Sequence, residues 1–80
     1  MYIQVTINLH HYKKKTLDLR ISDQHTAKKL IDIVWKLERL PQIDRREGGW
    51  VRIQNKKRML SGSEVLADSG VSSGDHLEIL

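Results

Sequence analysis

The chain has 80 residues, with 14 lysines and arginines against 10 aspartates and glutamates, a net charge of +4 and no cysteine. This length fits one small domain, and the lack of cysteine excludes disulfides and thiolate metal sites as sources of stability. No apolar run approaches the ~20 residues of a membrane span, and the first residues alternate instead of forming the apolar core of a signal peptide. We therefore expect a single soluble, cytoplasmic domain over residues 1–80.

Two segments near the start of the chain alternate between apolar and polar residues. The first covers residues 3–9 and the second covers residues 17–21, each with an apolar side chain at every second position. Such alternation is typical of a strand with one face on a core and the other in water. Because the polar link between them is short, the two strands are predicted to form a β-hairpin.

A long amphipathic pattern follows, which predicts a helix. Its candidate N-caps are Ser22, Asp23 and Thr26, whose side-chain oxygens can accept from the free amides of a first turn. The apolar stripe at helical spacing comprises Ala27, Leu30, Ile31, Val34 and Leu37, with Ile33 and Trp35 at its two edges. Pro41 restricts the residue before it, so the helix should end near Leu40.

The second half of the chain predicts three short strands, at residues 50–54, 58–60 and 76–80, separated by polar loops. The order ββαββ plus a terminal strand gives an α+β domain, with one helix packed across one face of a single sheet. The strand residues expected to meet the helix are Ile3, Val5, Ile7, Leu17, Leu19, Ile21, Val51, Ile53, Leu77 and Ile79. Val65, Leu66 and Val71 should anchor the loop before the last strand.

Several stretches resemble known ubiquitin-like proteins. Leu66, Asp68 and Val71, followed by the Gly74-Asp75 turn and a strand with two inward aliphatic residues, are similar to the carboxyl-terminal part of ubiquitin. More narrowly, an ordered set of motifs resembles the YukD-type bacterial ubiquitin-like proteins. The set is Met1-Tyr2-Ile3, Leu17-Asp18-Leu19-Arg20, Ile31-Asp32-Ile33 with Trp35, Arg46-Glu47-Gly48 with Trp50, Asn55-Lys56, and Gly74-Asp75 with Leu77-Glu78-Ile79-Leu80.

This resemblance implies a fold and a role. The fold would be a ubiquitin-like β-grasp, with a mixed sheet of four to five strands and one helix across it. The role would be that of a non-enzymatic accessory or regulatory component of a type VII (WXG100, ESX-like) secretion system of Gram-positive bacteria. The implied partner is a protein component of the secretion system, and no cofactor is implied.

The last residues bear on covalent conjugation. Conjugated ubiquitin-like proteins carry a flexible, glycine-ended tail beyond the last strand, because an activating enzyme must reach its carboxylate. Here Ile79 is expected in the core and the sequence reads only to Leu80. We therefore expect no conjugation, and binding through the folded surface instead.

Two patterns that could indicate catalysis or metal binding have simpler explanations. Residues 70–74 match the G-x-S-x-G nucleophile elbow, but a helix after it and an acid and a histidine well downstream are missing. His10 and His11 are neighbours that point to opposite sides, and no cysteine can complete a metal site. An enzyme and a bound metal are therefore not expected.

The candidate binding residues are cationic and aromatic. Lysine-rich turns follow the first strand (residues 13–15) and the third strand (residues 56–58). Arg45-Arg46 forms a third basic cluster. The resemblance implies that the two turns lie near one another, at one end of the exposed sheet face, with Arg52 at the position of the ubiquitin recognition patch. Trp50 is expected on the same side of the strand as Arg52. It can act as a binding hot spot, or it can pack against the Gly48-Gly49 loop. The predicted protein-binding residues are Lys13, Lys14, Lys15, Trp50, Arg52, Lys56, Lys57 and Arg58.

Two alternatives remain open for these residues. The basic groups can be an ordinary solvated surface, as in many small domains. They can also belong to a small nucleic-acid-binding domain that uses the lysine-rich turns, although the sequence offers few aromatic side chains to stack on bases. Binding of that kind would weaken steeply with added salt.

Overall fold

A five-stranded mixed sheet with one helix across one face forms the fold, which a computed structural model describes for residues 1–80. The strands are β1 (Tyr2–Asn8), β2 (Thr16–Ser22), β3 (Val51–Ile53), β4 (Arg58–Leu60) and β5 (His76–Ile79), and the helix is α1 (Ala27–Leu37). Single 3-10 turns lie at Gln42–Asp44 and Ala67–Ser69. The strand order is β2-β1-β5-β3-β4, with β1 and β5 parallel and the other pairs antiparallel. The predicted α+β arrangement is confirmed.

The core lies between the sheet and α1, where the alternating strand residues meet the helix stripe. Of the ten strand residues expected there, nine are buried, and Leu17 at the edge strand β2 is partly buried. The core also takes in Leu9, Leu60, Leu66 and Val71 from the strand ends and the loop. Val65 is only partly buried, but its backbone pairs with Thr26 as an isolated bridge. Burial of these apolar surfaces is the main force that holds strand and helix faces together.

The helix begins as predicted and ends earlier. Among the three candidate caps, Thr26 is the N-cap, since its hydroxyl oxygen accepts from the Lys29 amide at 3.1 Å. The helix ends at Leu37, and Arg39 then adopts a left-handed conformation with φ of 53°.

The two edges of the helix stripe differ from the prediction. Trp35 is only 2% exposed, whereas Leu37 is 58% exposed. Trp35 continues the row of Ala27 and Ile31 at four-residue spacing, which is one face of a helix. Its indole Nε1 donates to the Pro41 carbonyl oxygen at 3.1 Å, and its ring meets that of Tyr12 edge to face at 4.7 Å. The prediction of Leu37 as a core residue and Trp35 as an edge residue is therefore wrong.

Candidate interaction surface

The sheet face opposite α1 carries the side chains that point away from the core. Val51 and Ile53 are fully buried, so Arg52 between them points outward. The strand register sets Arg52 beside Glu78 on one side and Met59 on the other. Glu78 in turn lies beside Asn8 of β1. Neighbouring outward residues thus form a row across the sheet, made of Asn8, Glu78, Arg52 and Met59. Arg52 lies on the exposed face, as predicted.

The charge of Arg52 is compensated within this row. Its guanidinium Nη1 lies 3.1 Å from Glu78 Oε1, and His11 Nε2 lies 3.2 Å from Glu78 Oε2. Although Glu78 belongs to the open face, it is only 8% exposed, because Arg52 and His11 cover its carboxylate. The face is therefore less cationic at its centre than the sequence suggested.

Two large apolar side chains flank Arg52. Trp50 is 47% exposed and Met59 is 46% exposed. Met59 is the register partner of Arg52, and Trp50, whose carbonyl oxygen accepts from the Leu80 amide, precedes the buried Val51. Trp50 also packs on the glycine loop, since a methyl group on Gly48 would come within 2.8 Å of the indole Nε1. We name Trp50, Arg52 and Met59 the open-face patch. Sequence reasoning missed Met59, although its place before the inward Leu60 was a usable signal.

The two lysine-rich turns lie at opposite ends of the sheet. β1 ends at Asn8, beside Glu78 in the second half of β5, and the first turn follows there. β3 runs antiparallel to β5 and ends at Ile53, beside Leu77 near the start of β5. The second turn therefore lies toward the start of β1. The expectation that the turns are neighbours is wrong, because β3 and β1 run in opposite directions.

The first turn is tied to the end of α1. Lys15 Nζ lies 2.9 Å and Lys13 Nζ 3.5 Å from Glu38 Oε1, directly after the last helical residue. The hydrogen bond from Lys15 is the largest cause that holds the pKa of the Glu38 carboxyl below its ordinary value, and the charge of Lys13 acts in the same direction. Lys14 is exposed and forms no ion pair.

Lys56 in the second turn holds the loop before β5. Its ammonium group lies 2.9 Å from Asp75 Oδ2 and donates to the Gly70 carbonyl oxygen at 2.7 Å and to Ser72 Oγ at 2.8 Å. An ammonium group has three donors, and all of them are used here. Lys56 thus stabilises the fold, and its ammonium group has no donor left for a partner protein.

The remaining two members of that turn point in different directions. Lys57 is exposed, and its backbone adopts a left-handed conformation with φ of 52°. Arg58 pairs in register with the inward Ile53, so it lies on the helix side of the sheet. A methyl group on Gly70 would come within 3.7 Å of its guanidinium. The predicted cluster of three cations is therefore divided among three surroundings.

The elbow-like residues have structural roles. Ser73 Oγ accepts from the Gln4 amide at 3.1 Å, and the Gly74 amide donates to the Gln4 carbonyl oxygen at 2.7 Å. These bonds fasten the loop to β1. No three His, Cys, Asp or Glu side chains lie close enough together to hold a metal ion. None of the helices has the length and apolar character that crossing a membrane requires.

The sheet order and the single helix across it define the class of this protein, a ubiquitin-like β-grasp domain. A solved structure described as Caldiarchaeum subterraneum ubiquitin matches with a TM-score of 0.71, covering 99% of this chain and 91% of that one. The sequence identity of that pair is 22%, so this likeness concerns the fold alone.

Sequence comparison defines the family more narrowly. Residues 2–79 match the family model described as "WXG100 protein secretion system (Wss), protein YukD". The chain is also 48% identical, over the full 80 residues of both, to the ESX secretion system protein YukD of Bacillus subtilis (strain 168). This chain belongs to the YukD family.

Proposed function

We propose that this protein is a cytoplasmic, non-enzymatic and non-conjugated component of a type VII (WXG100, ESX-like) secretion system, with an accessory or regulatory role. It acts by binding another secretion-system protein through the open-face patch. Family membership and the name of the Bacillus subtilis relative support the setting. The observation that carries the binding role is the pair of half-exposed apolar side chains, Trp50 and Met59, beside Arg52.

The chemistry of the open-face patch suits protein recognition. Tryptophan, methionine and arginine are enriched in protein interfaces, and tryptophan and arginine are frequent hot spots. The Arg52–Glu78 pair gives the patch a polar group of fixed orientation, since Glu78 is also held by His11. A nucleic-acid interface finds less support, because Lys13, Lys15, Arg52 and Lys56 each already pair with a carboxylate.

The last strand is held firmly against the rest of the domain, as a folded binding surface requires. Ile79 is buried in the core, and the Leu80 amide donates to the Trp50 carbonyl oxygen at 3.1 Å. The Tyr12 hydroxyl donates to a Leu80 backbone oxygen at 2.6 Å. Residues 76–80 are thus fastened to the sheet.

The proposal is tested by placing a photo-crosslinking amino acid at Met59 in living cells. We expect a crosslink to a secretion-system component, and reduced export of a WXG100 substrate by the Met59→Glu variant. Thr16, an exposed residue of the edge strand β2 at the far side of the sheet, is the matched control position. The same crosslinker there, and Thr16→Glu, should have no effect.

Three outcomes would contradict this proposal. The first is the absence of a crosslink at Met59, or a crosslink only to proteins outside the secretion system. The second is unchanged export by Met59→Glu. The third is a ladder of larger species on denaturing gels without irradiation, which would indicate covalent conjugation.

A further inference from the structure

A cleft lined by polar residues and glycines lies beside the helix and adjoins the open-face patch only where Trp50 packs on Gly48. It is formed by the first turn of α1, the loop after Pro41 and the loop after β4, and its volume is about 600 Å³. None of the residues lining it is hydrophobic. Most polar surface loops of small domains are convex and solvated, so a concave site of this composition requires an explanation.

Glycine backbone makes the cleft possible. The Gly62 amide donates to the Gly48 carbonyl oxygen at 2.9 Å, and the Lys28 amide donates to the Gly62 carbonyl oxygen at the same distance. A methyl group on Gly62 would come within 3.0 Å of the Gly48 oxygen, and one on Gly49 within 3.3 Å of the Gly62 Cα. The two loops therefore meet backbone to backbone at this point, and no side chain from these three positions fills the space.

Two cations on the cleft walls have no acidic partner. Lys28 and Arg46 are exposed, and neither makes an ion pair nor donates a side-chain hydrogen bond, whereas the adjacent Arg45 is paired with Asp32. The Arg46 guanidinium lies 5.4 Å from the centre of the Tyr12 ring, which restrains its position. One carboxylate, Glu47, also lines the cleft and is likewise unpaired.

From this arrangement we propose that the cleft binds an acidic peptide segment of a partner protein. No hydrophobic side chain lines the cleft to hold an apolar ligand, whereas side-chain carboxylates would find the ammonium of Lys28 and the guanidinium of Arg46. Glu47 and the hydroxyl of Ser63 supply acceptors that the amides of a peptide can use. A phosphate group would leave these acceptors unused and would place its own charge beside Glu47.

The size of the cleft agrees with a peptide. Ligand sites in proteins commonly span about 300–1,000 Å³, and the cleft falls inside that range. The inference goes beyond the proposed function by assigning a second surface and the chemistry of its ligand. It rests on the proposed function only in taking the acidic segment to belong to a protein partner.

The test is an NMR titration of the ¹⁵N-labelled full chain with an acetylated, amidated hexaglutamate peptide at about 0.1 M salt, where charges more than about 10 Å apart are largely screened. We expect saturable shifts of the Gly48, Gly49 and Gly62 amides, which lie in the cleft wall. Replacing both wall cations, as Lys28→Gln with Arg46→Gln, should weaken binding about tenfold. Both positions are exposed, so a dispersed spectrum should show that the variant folds.

The matched control is Lys29→Gln with Lys36→Gln, which removes the same charge from exposed positions of α1 outside the cleft. It should change affinity less than about twofold, because exposed charges at a distance are screened. Equal weakening by both pairs, shifts that do not saturate, or shifts confined to the open-face patch would overturn the proposal. Tighter binding of pyrophosphate at the same amides would show a phosphate site instead. This experiment needs no secretion assay, so its failure is distinguishable from failure at Met59.

Discussion

At the scale of single residues, Asp75 shows how a buried charge is maintained in this small domain. Its carboxylate accepts from Asn55 Nδ2 and from the Ser72 amide, both at 2.9 Å, and pairs with Lys56. Burial alone would raise the pKa of the Asp75 carboxyl, but the bonds from Asn55, Lys56 and Ser72 outweigh it and lower the pKa. Folding therefore favours the ionised form.

The free energy of unfolding should depend on pH in the way that ionisation of Asp75 predicts. Since the folded pKa is depressed, its stabilisation is fully present above the ordinary aspartate pKa of about 4 and is lost as pH falls through the lower folded value. Asp75→Asn should reduce the free energy of unfolding by about 1–3 kcal/mol at pH 7. The difference from the parent protein should stay constant down to pH ~5 and shrink below pH ~4.

Urea unfolding at a series of pH values would measure this difference. Asp68→Asn is the control, because Asp68 is exposed in the neighbouring 3-10 turn and forms no ion pair. That substitution should change stability by less than about 0.5 kcal/mol at every pH. A difference between Asp75→Asn and the parent that stays constant or grows below pH ~4 would refute this account of Asp75.

At the scale of elements, α1 is placed by the row of Ala27, Ile31 and Trp35. Trp35 joins three parts of the chain, because its ring packs on Tyr12 from the hairpin link and its indole binds the Pro41 carbonyl oxygen. Leu37 contributes little, since it lies at the end of the helix with most of its surface in water. The position of α1 thus depends on an aromatic contact more than on its last aliphatic residue.

Substitutions at these two positions should separate the contributions. Trp35→Phe keeps an aromatic ring but loses volume and the bond to Pro41, and should lower the free energy of unfolding by about 1–2 kcal/mol. Leu37→Ala should change it by no more than about 0.5 kcal/mol, because the side chain is already exposed. Urea unfolding followed by circular dichroism measures both. A loss at Leu37 equal to that at Trp35 would contradict this assignment of the helix faces.

At the scale of the whole molecule, one core joins all the elements. β5 is the central strand, pairing with β1 on one side and β3 on the other, and its inward residues Leu77 and Ile79 are fully or nearly fully buried. No disulfide or metal cluster supplies an independent unit of stability. The sheet cannot lose β5 without separating its two halves.

Unfolding should therefore be a single cooperative transition. Tryptophan fluorescence and far-ultraviolet circular dichroism should give coincident thermal curves, with a heat-capacity change of about 1 kcal/mol/K, as expected for a domain of this size. Reducing agent should not shift the midpoint, because the chain has no cysteine. Two separated transitions would indicate that the hairpin and the β3–β5 part of the sheet fold independently.

Much of the local structure could be predicted without coordinates. The alternation of the strand residues and the helical spacing of the apolar stripe are local, repeated many times and consistent with each other, so the element order and most of the core were predicted correctly. The family resemblance likewise depended on motifs spread along the chain. Thr26 could not be singled out from Ser22 and Asp23 as the cap, because helix starts are set by a single hydrogen bond.

The interaction surfaces depended on the tertiary structure. Whether a lysine is free or paired is decided by residues far away in sequence, such as Asp75 for Lys56 and Glu38 for Lys15. Because β3 and β1 run in opposite directions, the two basic turns lie at opposite ends of the sheet. A linear pattern specifies which face of an element is apolar, because that depends on near neighbours along the chain. Which charges meet depends on strand order and register, and these exist only once the sheet has assembled around its core.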